Sequence, residues 1–294
     1  MTDQVASGAM FDLVNVKGFG DLVIALTCLQ RVPAENRHRI RLLVGQHLDA
    51  LLRVLDPPFA SATFRHPDAG PAPLFQVRTR PPAQVVRSAL GVRRGMLSVH
   101  DRTRTLLFDE YDIRHRFLSL GRAACALPRR DNLYRAWHDL LAGQGLADPV
   151  PNTPPAPDGR RLHIFPGARE AERRFPPALL WTLVERAVAA GLEPRIFTVA
   201  DEMPHLRGAD LPIEELPRDF ARTLAAVSQA DRIVSADSMT AHLAEHCGVP
   251  VYVLAPREKY FWLPLSAAQG GRHALFTQQP STTTLPAFLE RENG

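Results

Sequence analysis

One segment predicts the fold most directly: Arg232-Ile-Val-Ser-Ala-Asp-Ser-Met-Thr-Ala-His-Leu-Ala-Glu-His-Cys-Gly-Val-Pro-Val-Tyr-Val-Leu254. The two β-branched residues after Arg232 suit a short buried strand. Ser238 is a favourable N-cap for a helix, which the turn Gly248-Val-Pro250 then ends. Residues 251–254 are apolar and suit a second buried strand. Two buried strands joined by a helix make a βαβ unit, which requires a parallel sheet.

A candidate ligand site lies where the first of these strands ends. Ligands of parallel sheets bind beyond the carboxyl ends of the strands, next to the start of the following helix. Asp237, Ser238 and His242 stand at that position. The helix N-terminus offers N–H groups and a partial positive charge, so we expect this position to suit a phosphate group.

Length and composition indicate a globular protein. The chain has 294 residues, 45% hydrophobic and 22% charged, which suits one large domain or two ordinary ones. No run reaches the ~18 apolar residues of a membrane span. The first ten residues contain no Lys or Arg, unlike a signal peptide, so we expect a cytoplasmic location. Cys28, Cys125 and Cys247 are widely spaced, and we expect reduced thiols.

The charge balance indicates an affinity for anions. The formal net charge is +4, and every basic residue except Lys17 and Lys259 is an arginine. Arginine binds phosphate and carboxylate through two parallel hydrogen bonds. A GC-rich genome explains the arginine content equally well. We expect no nucleic-acid partner, because basic and aromatic residues do not interleave in one stripe.

The order of predicted elements indicates two similar halves. Residues 149–159 hold five prolines and form the best linker, which gives predicted domains at 1–150 and 151–294. Strands and helices alternate in both domains, as in doubly wound α/β folds. The predicted strands are 11–16, 39–44, 62–64, 74–77, 96–99, 162–165, 195–199, 233–234 and 251–254, and the predicted helices are 21–29, 46–55, 83–90, 132–143, 177–190, 219–229 and 238–247.

A glycine-rich turn follows the first predicted strand. In Gly18-Phe-Gly20-Asp21 the glycines permit a sharp turn and close approach of a ligand to the backbone. The pattern is not Gly-x-Gly-x-x-Gly, so it does not support a dinucleotide site. Asp21 as the N-cap of an ordinary helix is the simpler interpretation of this turn from the residues alone.

Two loops of the second half carry further candidate residues. The loop Phe165-Pro-Gly-Ala-Arg169, followed by Arg173-Arg-Phe-Pro176, places Gly167, Ala168 and Arg173 after a strand. Contact with phosphate and a solvated basic loop are both compatible with this pattern. Glu202, after another strand, is either a ribose-binding carboxylate or an ordinary surface acid.

These segments resemble the ADP-heptose:lipopolysaccharide heptosyltransferase family of glycosyltransferases. Its Asp-Thr-Gly-x-x-His pattern stands here as Asp237-Ser-Met-Thr-Ala-His242, with Met239 in place of the usual glycine. Its Gly-Asp pair before an apolar helix matches Gly20-Asp21. Arg173 takes the place of the family's phosphate-binding lysine, and Phe175 that of a tryptophan.

The resemblance implies a GT-B-like α/β fold, with two Rossmann-like parallel-sheet domains facing across a cleft. It implies inverting transfer of a sugar from a nucleotide-diphosphate donor held by the C-terminal domain. The acceptor, a glycan or glycolipid such as lipopolysaccharide, would bind the N-terminal domain beside Gly18 and Gly20, with Asp21 as general base. No cofactor or metal is implied, and peripheral contact with the inner membrane fits such an acceptor. The implied donor-binding residues are Gly167, Ala168, Arg173, Glu202, Asp237, Ser238, Met239 and His242.

Two alternatives from other functional classes stay open. His242-Leu-Ala-Glu-His246 matches the inverzincin pattern of zinc hydrolases, with Glu245 as base. A short crossover helix with no third ligand downstream does not favour that reading, and His246 is otherwise expected to be an exposed residue near a helix C-terminus. Met239 motivates the other alternative, a GT-B-like nucleotide-binding module without turnover.

Overall fold

A computed structural model describes residues 8–68, 80–109, 113–148, 156, 158–199, 201–206, 208–258, 260–278 and 282–290. The chain divides into two compact units, residues 1–150 and 151–294. Among the helices of the described residues, none combines the length and the hydropathy that crossing a bilayer requires.

The N-terminal unit is built on a parallel sheet of five strands in the order β3-β2-β1-β4-β5. Strand β1 is central and fully buried, because it pairs with a strand on each side. All these strands point the same way, so their carboxyl ends form one edge of the sheet. The strands are β1 (Phe11–Asn15), β2 (Ile40–Gly45), β3 (Ala60–Phe64), β4 (Thr105–Phe108) and β5 (Ala124–Ala126).

Helices connect these strands, as parallel pairing demands. A single 3₁₀ turn, Gln46–Leu48, precedes the third helix. Asn132 caps the sixth helix, because its side-chain carbonyl accepts the Tyr134 N–H at 3.0 Å. The helices are α1 (Phe19–Leu29), α2 (Ala34–Arg37), α3 (Asp49–Leu55), α4 (Pro82–Val99), α5 (Ile113–Ser119) and α6 (Leu133–Gly143).

Helix α4 corrects one prediction, because residues 96–99 form its last turn and not a strand. Ala89, Val92 and Met96 recur at helical spacing and are buried in the core of this unit. Periodicity alone does not separate a short apolar strand from a buried helical turn. A Cβ on Gly95 would lie 2.0 Å from the carbonyl oxygen of Arg65, so that glycine lets α4 pack directly on the chain after β3. The predicted strand at 74–77 lies outside the described residues.

Helix α1 begins two residues earlier than predicted, at Phe19, with Gly18 as its N-cap. Gly20 therefore lies in the first helical turn and not in the loop. Asp21 is the third residue of the helix, and its Oδ2 accepts the Gly18 N–H at 3.0 Å. The interpretation of Asp21 as N-cap is wrong, since the carboxylate returns to the cap position from one turn inside.

The C-terminal unit is built on a parallel sheet of six strands in the order β11-β10-β9-β6-β7-β8. The predicted βαβ unit is confirmed as β9-α9-β10. The strands are β6 (Arg161–Phe165), β7 (Glu193–Val199), β8 (Ile213–Leu216), β9 (Arg232–Ala236), β10 (Val251–Ala255) and β11 (His273–Leu275). The helices are α7 (Pro177–Ala189), α8 (Phe220–Ser228), α9 (Met239–His246), α10 (Leu265–Gln269) and α11 (Leu285–Leu289).

A buried arginine holds the last helix against this sheet. Arg232, at the start of β9, is only 1% exposed. Its Nη1 donates to the carbonyl oxygens of Phe288 at 2.7 Å and Glu290 at 3.1 Å, and its Nη2 donates to that of Gly159 at 3.3 Å. The Phe288 and Glu290 carbonyls lie at the end of α11 and lack helical partners, so the guanidinium satisfies them and complements the helix dipole.

Candidate functional site

The candidate donor site lies at the carboxyl edge of the C-terminal sheet, around β6. From β6 the chain moves outward through β7 and β8, and then returns to β9 on the other side of β6. The carboxyl ends of β6 and β9 therefore flank a topological switch point, the place where open α/β sheets bind ligands. The predicted donor residues all follow β6, β7 or β9, so the topology gathers them at one edge.

The loop after β6 is held in a fixed shape by its own backbone and by Arg174. The Phe175 N–H donates to the Pro166 carbonyl at 3.0 Å. Arg174 Nε donates to the Ala168 carbonyl at 2.8 Å, and its Nη2 to the Arg169 carbonyl at 3.3 Å. Arg174 thus positions the loop that contains Gly167 and Ala168. The sequence interpretation missed this role, although the Arg173-Arg174 pair marks the position.

Arg173 links the loop after β6 to the end of β9. Its Nε lies 2.8 Å from Glu170 Oε2, and its Nη1 lies 3.7 Å from Asp237 Oδ2. The Arg173 side chain is 29% exposed and that of Asp237 is 11% exposed. A partly exposed guanidinium at this edge of the sheet suits an anionic ligand, whereas the neighbouring Arg174 is occupied by backbone carbonyls.

The start of helix α9 is organised by hydroxyl groups. Ser238 occupies the predicted N-cap position, but its side chain makes no capping bond to the helix backbone. Its Oγ instead lies 2.9 Å from Thr240 Oγ1, which lies 2.8 Å from Ser235 Oγ. The partial positive charge of the helix dipole at this end of α9 favours a bound anion.

Glu202 lies directly against Gly167. A Cβ on Gly167 would fall 2.4 Å from Glu202 Oε2, so only glycine lets the carboxylate approach this closely without a shift. Burial raises the pKa of Glu202, while Arg174 and Arg218 act to lower it. The structure thus brings the ends of β6 and β7 together at a half-buried carboxylate.

The two remaining predicted donor residues lie on α9. Met239 is its first residue and is half-buried, and His242 is buried one turn further along. Together with Asp237 and Ser238, they follow β9 at the switch point.

The zinc-hydrolase alternative is not favoured by the surroundings of its predicted base. Glu245 accepts the Ser266 N–H at 3.2 Å and the Ser266 hydroxyl, so its carboxylate joins α9 to α10. Among the described residues, no group of three or more His, Cys, Asp and Glu side chains could hold a metal ion. His246 is not the exposed residue expected from sequence, because it is half-buried and burial lowers its pKa.

In the N-terminal unit, Asp21 lies beside the switch point between β1 and β4. Its Oδ1 is buried and has no hydrogen-bond partner among the described residues, while its Oδ2 accepts the Gly18 N–H. Lys17 Nζ donates to the Asp109 carbonyl at 2.6 Å and joins the ends of β1 and β4. Asn15 ends β1 fully buried, and its side-chain amide has no partner in the part of the chain that the structure describes.

A histidine pair that the sequence analysis did not identify holds the turn at Lys17, between β1 and α1. His47 Nε2 lies 2.7 Å from the Lys17 carbonyl, and its Nδ1 lies 3.0 Å from His66 Nε2. The Asp68 N–H approaches His66 Nδ1 at 3.4 Å. One set of neutral tautomers satisfies these three contacts: each ring donates from Nε2 and accepts at Nδ1. The residues are 19 positions apart, so only the pairing of β2 with β3 reveals them.

Solved structures share this fold at low sequence identity. The glycosyl transferase family 9 protein from Veillonella parvula DSM 2008 matches with a TM-score of 0.61 and 12% identity, over 93% of this chain and 87% of its own. The E. coli heptosyltransferase WaaC with ADP matches with 0.58 and 12%, over 90% and 92%. The E. coli ADP-heptose lps heptosyltransferase II matches with 0.54 and 13%, over 90% and 89%.

The fold is that of the GT-B glycosyltransferases. The expectation of two parallel-sheet α/β domains of the GT-B type is therefore confirmed. No family model and no curated protein sequence matches the chain.

We expect the histidine pair to make stability depend on pH. Burial lowers the pKa of both His47 and His66 in the folded state. The unfolded chain, in which histidine has a pKa of ~6.5, therefore binds more protons than the folded chain below that pH. The stabilisation is complete above ~6.5 and is lost as the pH falls towards the lowered pKa values.

Melting curves of wild type and His47→Gln at neutral and mildly acidic pH check this. The glutamine amide can donate to the Lys17 carbonyl and accept from His66 but does not titrate, so the acid-induced fall in Tm should be smaller. His38→Gln, at an exposed position of the same unit, is the control and should melt like wild type at each pH. An equal acid-induced fall in His47→Gln and wild type would contradict the expectation.

Proposed function

We propose that this protein is a glycosyltransferase that transfers a sugar, with inversion, from a nucleotide-diphosphate sugar to an acceptor hydroxyl. The observation that best supports this proposal is a group of side chains and a glycine that lie together at the β6–β9 switch point of a GT-B fold. They are Gly167, Arg173, Glu202 and Asp237. Solved neighbours of the same fold include a heptosyltransferase with ADP and one with ADP-2-deoxy-2-fluoro heptose. A heptose-like donor and a glycan or glycolipid acceptor are the substrates we propose.

Donor binding would use the groups around β6. Arg173 and the N-terminus of α9 would contact the diphosphate, and Glu202 would accept hydrogen bonds from the ribose. As the bond between the anomeric carbon and the diphosphate breaks, negative charge grows on the leaving group. Arg173 and the helix dipole would stabilise that charge without a metal or another cofactor.

The acceptor would be activated by Asp21. Its buried Oδ1, unpartnered among the described residues, would accept the proton, while the bond from Gly18 fixes the carboxylate through Oδ2. The acceptor oxygen would attack the anomeric carbon from the face opposite the diphosphate, and its proton would pass to Asp21. One displacement gives inversion at that carbon.

The two neighbouring arginines should respond differently to alanine. Arg173→Ala should weaken nucleoside-diphosphate binding by about 1.5–3 kcal/mol, the range for hydrogen bonds to charged groups, and leave Tm nearly unchanged. Arg174→Ala should lower Tm, because it releases the carbonyls of Ala168 and Arg169. Calorimetric titration with ADP, GDP, UDP and dTDP, together with melting curves, measures both effects.

Arg169→Ala is the matched control for this experiment. Its side chain is 72% exposed and pairs with the neighbouring Glu170 at 3.2 Å, so the variant should bind and melt like wild type. Full affinity in Arg173→Ala would remove Arg173 from the proposed donor site. A loss of affinity confined to Arg169→Ala would transfer the role to Arg169.

Asp21→Asn tests the mechanism. Asparagine keeps the shape of the side chain and its oxygen can still accept the Gly18 N–H, but the amide cannot take up a proton. Transfer should fall by ~10²–10⁴, the range for loss of a general base, with donor affinity and Tm nearly unchanged. Sugar transfer is measured from released nucleoside diphosphate with lipid-linked glycan acceptors.

Asp21→Ala separates catalysis from helix capping. It should lose transfer as well as stability, because the Gly18 N–H loses its acceptor. Wild-type turnover in Asp21→Asn would leave the proposed mechanism without its base. Nucleoside-diphosphate binding by a wild-type protein that transfers no sugar would instead indicate a binding module.

A further inference from the structure

Four large apolar side chains are exposed on the outer side of α4 and at α5. Their exposed fractions are 58% for Val86, 53% for Leu90, 40% for Phe117 and 65% for Leu120. The opposite sides of the two helices are buried in one shared core, which contains Ala89, Val92, Met96 and Leu118. The exposed residues are therefore surplus to the packing that holds the helices in place, and exposed apolar clusters commonly mark interaction sites.

The four side chains lie on adjoining helix surfaces. Val86 and Leu90 are four residues apart on α4 and so are neighbours along one stripe. Arg93 lies one turn beyond Leu90, and its Nη2 reaches the Leu120 carbonyl at 3.5 Å. Phe117 lies one turn before Leu120 at the end of α5.

The charges within the two helical segments that form this surface have a single sign. Residues 80–100 and 113–122 contain seven arginines and no Asp or Glu, although the whole chain has 31 acidic residues against 35 basic ones. Arg87, Arg94 and Arg116 are exposed next to the apolar positions. Asp68 meets α4 through the buried side chain of Ser88, so it faces the inner side of the helix. The arginines are at positions 80, 87, 93, 94, 114, 116 and 122.

We propose that this α4–α5 surface, formed by Val86, Leu90, Phe117, Leu120 and the exposed Arg87, Arg94 and Arg116, docks on an anionic lipid bilayer. The apolar side chains would enter the boundary between headgroups and acyl chains, and the arginines would contact lipid phosphates. A nucleic acid would use the arginines but would leave three aliphatic side chains without a partner. An anionic bilayer offers partners to both the apolar side chains and the arginines. This inference is independent of the proposed sugar transfer.

Co-sedimentation with vesicles tests the proposal directly. The purified protein should bind phosphatidylcholine vesicles that contain phosphatidylglycerol, and should bind pure phosphatidylcholine vesicles at least tenfold more weakly. The variant Leu90→Ser/Leu120→Ser should bind the anionic vesicles about tenfold less, because two apolar side chains no longer enter the bilayer. The variant Arg87→Gln/Arg94→Gln should lose about tenfold as well, and most of its remaining binding should resist salt.

A control on the other unit shows whether position matters. Val188 is 60% exposed on helix α7, so Val188→Ser removes a comparable apolar side chain elsewhere and should bind like wild type. Melting curves verify that every variant is folded. Wild-type vesicle binding by Leu90→Ser/Leu120→Ser would overturn the proposal. A wild-type dimer that this variant dissociates, with no vesicle binding by either protein, would instead make the surface a contact between two copies of this chain.

Discussion

Parallel pairing of β6 with β9 on one side and β7 on the other is the constraint on which the candidate site depends. Residues far apart in sequence follow these three strands, and parallel pairing places their carboxyl ends at one edge. The reversal of chain direction across the sheet between β6 and β9 leaves room there for a ligand. Gly167, Glu202 and Asp237 meet for this reason and not through any local sequence pattern.

Buried polar groups at the two edges of the N-terminal sheet differ in their hydrogen bonding. Near the amino end of β1, the buried Asp12 carboxylate accepts two bonds from Arg41, at 3.0 and 2.7 Å, and lies 2.8 Å from His100 Nδ1. At the carboxyl end, the Asn15 amide and Asp21 Oδ1 are buried without partners among the described residues. An unpartnered buried polar group costs about 1–3 kcal/mol, which a bound ligand or water would offset. The Asn15 amide and Asp21 Oδ1 are therefore candidates for contact with a ligand at this edge.

The sequence was most informative where local patterns repeat. The β9-α9-β10 unit follows from the buried strands and the Gly248-Val-Pro250 turn, and the structure confirms it. Residues 96–99 were predicted wrongly, because a short apolar run suits a strand as well as the last turn of α4. The start of α1 was placed two residues late, because Asp21 reaches back to Gly18 from inside the helix.

Contacts between distant residues could not be predicted in the same way. The His47–His66 pair and the Gly167–Glu202 contact depend on which strands are neighbours, and a single sequence does not contain that information. Arg174 was missed for a related reason, since its partners are backbone carbonyls that become accessible only once the loop has folded. The roles assigned to the site residues stay predictions.

Amide hydrogen exchange with a bound nucleoside diphosphate tests the central claim most directly, which is that the β6–β9 edge holds the donor. The ligand is whichever of ADP, GDP, UDP or dTDP raises Tm most. We expect slower exchange at residues 166–169 and 237–241, with no change at 16–21 or 113–122. Protection confined to the N-terminal unit, or no protection at the β6–β9 edge under saturating ligand, would contradict it.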